Sequence, residues 1–179
     1  GYVFQDGSVI ISATGELPED LRAIRDGQRA NSDHPIANVV LELRALTGLP
    51  IDTSRALPGT YSGQNIEVRS DANGHFVFSG LRPGTYHVYQ QQPDGYMDGL
   101  DTPGTTTGFA VNPGDTVPAS IMGLLQLSNP LANPGTDAIL EISVQAGERS
   151  QENNFSEVRL KHEVPVPPIP VTPPLVEKV

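Results

Sequence analysis

The chain has 179 residues with no cysteine, no tryptophan and an aromatic content of only 6%. The missing thiols exclude disulfides, thiolate catalysis and cysteine-ligated metals together, and they leave the compartment open, because a secreted chain can lack cysteine. Lysine is scarce as well, present only at Lys161 and Lys178. With 11 basic against 21 acidic residues the formal net charge is −10, which repels nucleic-acid backbones and anionic lipid. No run approaches the roughly 18 apolar residues of a membrane span. The opening Gly1-Tyr2-Val3-Phe4 lacks the basic-then-apolar character of a signal peptide, so the segment reads as cut from a longer precursor. Nucleotide and nucleophile motifs such as G-x-x-x-x-G-K and G-x-S-x-G are missing, and none of His34, His75, His87 and His162 forms an H-E-x-x-H pair. These absences point away from an enzyme.

What is plentiful is punctuation, with 18 glycines and 17 prolines, the pattern of many short strands joined by turns. The most informative stretch is 70–96. Asn73-Gly74 tolerates positive φ and predicts a hairpin turn over 71–74. The segment His75-Phe76-Val77-Phe78 reads as a strand with the two phenylalanines on one face. Pro83-Gly84 fits the centre of a type II turn, and residues 85–90 form the next strand, ended by Pro93-Asp94-Gly95. His75 and His87 fall on adjacent predicted strands and read as a solvent-facing pair.

In chain order, residues 2–5 predict a short first strand that residues 9–11 continue or re-pair. Residues 17–25 predict a short surface helix, with Pro18 in its first turn and acids beside the N-terminal dipole. Residues 37–44 alternate cleanly, Val39, Leu41 and Leu43 inward against Val40, Glu42 and Arg44 outward. Residues 48–63 and 97–118 read as loops, the latter with a short strand at 109–111. The apolar run 121–127 has strand length, residues 138–145 alternate again, and 153–160 make the last strand. Residues 164–174, VPVPPIPVTPP, favour extended polyproline II and a semi-rigid spacer. The fold expectation is an all-β, antiparallel Greek-key β-sandwich of Ig-like or prealbumin-like type, with long loop insertions and one short helix. It would occupy residues 1–162, with a proline-rich linker or tail at 163–179.

The pattern Asp71-Ala72-Asn73-Gly74-x-Phe76-x-Phe78-x-x-Leu81-x-Pro83-Gly84-x-Tyr86-x-Val88, followed by Pro93-x-Gly95-Tyr96, resembles the SdrD B-like and Cna B-type repeats of bacterial surface proteins. Gly1-Tyr2-Val3-Phe4-x-Asp6 and residues 36–43 resemble the first two strands of such repeats. Asp98-Gly99-x-Asp101-Thr102-x-Gly104 and Asn153-Asn154-Phe155-x-Glu157 resemble their closing parts. The resemblance implies a non-enzymatic stalk, spacer or adhesive module at the cell surface or outside the cell. Its partners would be neighbouring domains of the same polypeptide, and a host or matrix protein or polysaccharide.

Two kinds of site follow. Asp94, Asp98 and Asp101 are spaced through a glycine-bearing loop, and hard oxygen ligands on such loops suit Ca²⁺, although aspartates also serve turns by accepting backbone N–H bonds. The repeats that this chain resembles often carry an Asp-x-Asn-x-Asp-Gly calcium loop after the first strand. Here only Asp6 is carried over, with Asp26 and Asp33 as looser candidates. The resemblance also raises an intramolecular Lys–Asn isopeptide bond, for which Asn153 or Asn154 could serve, but no lysine precedes them. An intact mass equal to the sequence mass is expected, and one lighter by a single ammonia would overturn this. Asn154-Phe155-Ser156 matches a glycosylation sequon and reads instead as strand chemistry. Two alternatives complete the functional reading. The first is a carbohydrate- or protein-binding module using loops 7–35, 48–63 and 97–118, with Tyr61, Tyr89 and Tyr96 as stacking side chains. The second is an accessory domain of a larger enzyme.

Overall fold

The computed structural model describes residues 1–116, 118–128 and 137–164, and the side chains of all of these but 124–128. The proline-rich segment expected at 163–179 lies, from residue 165 onward, outside the described residues. The described residues form eleven short strands: β1 (Val3–Gln5), β2 (Ile10–Ser12), β3 (His34–Pro35), β4 (Val40–Arg44), β5 (Glu67–Arg69), β6 (Gly84–Gln90), β7 (Met97–Asp98), β8 (Phe109–Ala110), β9 (Ala138–Val144), β10 (Phe155–Val158) and β11 (Leu160–His162). β11 and β2 form a two-stranded sheet, and the two larger sheets have the orders β3-β1-β10-β7 and β5-β4-β6-β9-β8. Their facing side chains, Val3 and Phe155 from the first and Leu41, Leu43, Val88, Ile139 and Ile142 from the second, form one buried core, so the molecule is a β-sandwich.

The alternating segments fold as their pattern dictates. Leu41 and Leu43 on β4 are buried and face Val88 on β6, whose Tyr86, Val88 and Gln90 share the inner face. The outer face of the four-stranded sheet is also covered: Ile10, Leu21, Leu100 and Val158 cluster there beneath the excursion that follows β1. Most pairs are antiparallel, as expected, but the first two strands pair in parallel with the last two. Val3, Phe4 and Gln5 lie opposite Phe155, Ser156 and Glu157, and β2 continues the arrangement against β11.

Several local expectations are corrected. Residues 121–127 belong to an α-helix, α1 (Ala119–Ser128), rather than a strand. A short apolar run does not distinguish the two, and Ala, Met, Leu and Gln, with Ile121 the lone β-branched residue, favour the helix that the Pro118 carbonyl opens by accepting from Ile121 and Met122. The predicted helix over 17–25 contracts to a single 3₁₀ turn, Leu21–Ala23. Loop 48–63 holds another, Thr53–Arg55, closed by the Asp52 carboxylate accepting from the Ser54 N–H at 2.8 Å. His75-Phe76-Val77-Phe78 keeps its alternation, Phe76 buried and Val77 54% exposed, but joins the sheets only through a bridge between Tyr2 and His75. Gly84 opens β6 without a left-handed φ; that role falls to Gly80, at φ +64°. The 71–74 turn forms as expected, with Gly74 at φ +71° and its carbonyl accepting from the Val3 N–H. A Cβ on Gly74 would lie 2.2 Å from the Val3 carbonyl oxygen, so both conformation and space require glycine.

The histidine pair is not a pair. His75 stacks on Tyr2 with ring centroids 5.0 Å apart, whereas His87 is fully buried. Arg44, expected to face outward, is buried beside Tyr89, with Glu42 as its ion-pair partner. The sequon residues Asn154, Phe155 and Ser156 are all buried, closing them to a glycosyltransferase in the folded state.

Candidate metal centre

The two sheets meet at one end of the core in a cluster of carboxyl groups. Asp98 ends β7 and lies opposite Glu157 of β10 in the ladder, so both side chains point the same way, into the sandwich. Asp101 follows three residues later, and Asp137 immediately precedes β9 of the other sheet. One oxygen from each of Asp98, Asp101 and Asp137 lies within 4.8 Å of the others. Glu157, fully buried, accepts from the side-chain amides of Gln90 and Gln92, which reach across from the end of β6.

The local chain explains this convergence. Gly99 donates its N–H to the Ser156 carbonyl at 2.8 Å, and a Cβ there would sit 2.4 Å from the Ser156 hydroxyl oxygen, so only glycine lets the β7 segment close on β10. The Leu100 N–H then donates to Ser156 Oγ at 2.8 Å, and the Ser156 N–H to Asp101 Oδ1 at 3.0 Å. Asn112 fixes the Asp101 backbone from the other side, accepting its N–H at 2.6 Å and donating to its carbonyl at 3.2 Å. The Gln90 N–H donates to the Asp137 carbonyl at 2.9 Å, docking the start of β9 against β6.

The remaining oxygens face one another without donors. Both carboxylate oxygens of Asp98, Oδ2 of Asp101, Oδ1 of Asp137 and the side-chain oxygen of Gln90 are buried with no hydrogen-bond partner among the described residues. The charges that bear on Asp98 are those of Asp101, Asp137 and Glu157, all of the same sign. Burial, reinforced by mutual repulsion, pushes the Asp98, Asp101 and Glu157 carboxyls well above their usual range, and burial raises Asp137 to about 6. Either protons or a cation must offset this charge. The donor set fits a hard divalent cation: all ligands are oxygens, and two ligands on opposite sides of a Ca²⁺ ion at ~2.4 Å stand about 4.8 Å apart.

Of the four residues expected to bind metal, the structure brings together Asp98 and Asp101. Asp94 is exposed in the turn after β6, and Asp6 lies elsewhere. Asp6 Oδ2 accepts from the Gly27 N–H at 3.0 Å, and Arg25 already offers positive charge beside it. Asp33 is likewise committed, accepting from Gly7 and Ala30, and Asp26 accepts from Gln28. Asp137 and Glu157 were missed. Glu157 carried a legible signal, since alternation places it on the same face as Phe155; Asp137 carried none beyond preceding an alternating strand. The tyrosines expected to stack on sugars are engaged otherwise: Tyr89 is buried, Tyr61 packs on the core with its hydroxyl donating to Ser79, and Tyr96 packs there beneath Arg159.

In the metal-free protein these carboxyls should cost stability as pH rises. Groups whose folded pKa is raised leave stability intact below the unfolded carboxylate value, roughly pH 4, and remove it as pH rises through the folded values, about 6 for Asp137. The buried Gly1 amino group, lowered to about 6, and His87, also lowered by burial, act in the opposite direction, so the carboxyl contribution is read as a difference: in EDTA the melting temperature of Asp98→Asn should fall less, or rise more, between pH 5 and pH 8 than that of wild type. Identical pH profiles for the two proteins would mean that the carboxyls are not buried together.

Over 95 residues, 52% of the chain, the sequence is 35% identical to the bone sialoprotein-binding protein of Staphylococcus aureus and, equally, to the serine-aspartate repeat-containing protein E of the same species. The matched stretch is 7% of the length of either relative. No family model and no solved structure matches the chain.

Proposed function

We propose that this β-sandwich is a non-enzymatic structural module of a cell-surface protein, a stalk, spacer or adhesive unit, and that a Ca²⁺ ion held by Asp98, Asp101, Asp137 and Glu157 fastens its two sheets together. The observation that carries the reading is the set of buried, donorless oxygens contributed by both sheets. A cation there ties β7 and β10 to the start of β9, while Gln90 and Gln92 hold Glu157 in place. The similarity to two S. aureus proteins, one of them named for binding bone sialoprotein, supports the surface setting and an adhesive role toward a host matrix protein.

The strand pairing suits a load-bearing unit. Because β1 runs parallel to β10 and β2 to β11, tension between the two ends of the domain loads these ladders in shear, so that their hydrogen bonds must yield together. Native mass spectrometry after dialysis against millimolar Ca²⁺ tests the site. One ion per chain is expected, lost on Asp98→Asn; a chain that stays metal-free would leave the module with turn-forming aspartates and overturn the calcium assignment.

A further inference from the structure

The described residues leave part of the outer face of the five-stranded sheet open. Ile121 of α1 packs with Tyr89, Val111, Ala138 and Leu140 over one part. The open part holds a groove of about 440 Å³, lined by Leu46, Thr85, Thr107, Phe109, Glu141 and Ser143 among others, and remote in role from the carboxylate centre.

The groove is built around a β-bulge. Tyr86 pairs with Ile142 but Val88 with Ile139, so β9 carries one extra residue opposite His87. Glu141 takes up the irregularity at φ +57°, a left-handed conformation that costs a residue other than glycine stability. Beneath it, His87 Nδ1 accepts from the Glu141 N–H at 3.0 Å, and burial lowers the imidazole pKa, favouring the neutral acceptor. Ile139 and Ile142 thereby both face the core, while the exposed Glu141 stands at the groove. Hydroxyls floor it: Thr85 Oγ1 and Ser143 Oγ are 2.7 Å apart, and Thr107 Oγ1 donates to the Glu141 carbonyl at 3.1 Å while accepting from the Ser143 N–H at 3.0 Å. Glu141 is the one charged group among the lining residues, and the ion pairs among the described residues, Arg22–Asp115, Arg44–Glu42 and Lys161–Glu163, do not include it.

We propose that this groove receives a cationic side chain, arginine or lysine, from a protein partner. The Glu141 carboxylate takes the charge, the hydroxyl oxygens of Thr85, Thr107 and Ser143 accept further N–H bonds, and Leu46 and Phe109 flank the alkyl stem. The net charge of −10 steers basic partners toward the protein. A neutral sugar fits less well, because it would leave the Glu141 carboxylate without a counter-charge and find only one aromatic ring, Phe109, in the lining. The inference stands apart from the calcium assignment, and either can fail alone.

The test is a ¹H–¹⁵N NMR titration of the calcium-equilibrated protein with N-acetyl-argininamide and with a short Lys/Arg peptide, against N-acetylglucosamine and an acidic peptide as controls. Shifts confined to the amides of Thr85, Thr107, Gly108, Glu141 and Ser143 are expected with the cationic probes. Binding should weaken about tenfold in Glu141→Asn, the loss of one charge-assisted contact; asparagine tolerates the left-handed backbone. Should that variant fold poorly, the salt dependence of the wild-type shifts serves instead, since a charge contact must weaken at high salt. Shifts unchanged by Glu141→Asn or by salt, shifts raised by the sugar alone, a response spread over the acidic surface, or perturbation of the groove by self-association would each overturn the proposal.

Discussion

In millimolar Ca²⁺ the wild-type domain should melt higher than in EDTA, and Asp98→Asn should reverse the ranking of the two proteins between the two conditions. A ligand that binds only the folded state stabilises it by about 2.7 kcal/mol at a concentration a hundred times its Kd. For a domain of this size that is a rise of ~5–10 °C. The reversal is the sharper expectation. Among the described residues no amide, hydroxyl or cationic donor reaches either oxygen of Asp98, and its carboxyl faces those of Asp101 and Asp137. Without metal, replacing it by a neutral amide removes a buried like-charge repulsion and supplies a donor to its neighbours, so the variant should melt above wild type in EDTA. With Ca²⁺ the same change deletes a ligand and most of the ion-dependent rise. Differential scanning calorimetry of both proteins in both buffers reads all four states. If Asp98→Asn is less stable than wild type in EDTA as well, Asp98 has a structural role that the donorless cluster does not describe.

The sequence made half of this centre legible. Asp98 and Asp101 stand out because glycine and aspartate share a short loop, a local pattern that points to turns or to hard-metal ligands. Glu157 and Asp137 are separated from them by tens of residues, and their convergence depends on the β7–β10 register and on the docking of β9 against β6, neither of which a local pattern specifies. The strands divide the same way. β4 could be read directly, since Leu41 and Leu43 alternate with polar neighbours and face a core. In β9 the string Leu140-Glu141-Ile142 reads as uninterrupted alternation, yet it contains the bulge, whose Glu141 N–H is taken up by His87 on the opposite strand, a partner that no local pattern identifies. The 121–127 run failed for a different reason: its length suits either element, and the helix propensities of Ala, Met, Leu and Gln outweighed its apolar continuity. The parallel pairing of the first two strands with the last two likewise lies beyond composition, because it is a property of chain routing.

That routing sets the second large effect. Phe155→Ala is expected to cost about 3–5 kcal/mol, the range for truncating a fully buried phenylalanine, read as a fall in the urea midpoint at unchanged slope. Phe155 has no exposed surface, packs against the Phe76 ring at 6.0 Å between centroids, pairs with Val3 in the parallel ladder, and donates its N–H to the Tyr2 carbonyl at 2.9 Å. Its loss therefore opens a cavity at the joint between β1 and β10. Val77→Ala is the matched control. It comes from the Phe76-Val77-Phe78 stretch, but its side chain is 54% exposed, so a change within about 0.5 kcal/mol is expected. Because Glu157 lies two residues beyond Phe155 on β10, Phe155→Ala should also weaken Ca²⁺ binding without removing a ligand, and added Ca²⁺ should recover part of the lost stability by mass action. A small loss of stability in Phe155→Ala, close to that of Val77→Ala, would mean that Phe155 does not anchor β10 in the core between the two sheets, and the shear-loaded joint between the terminal strands would fall with it.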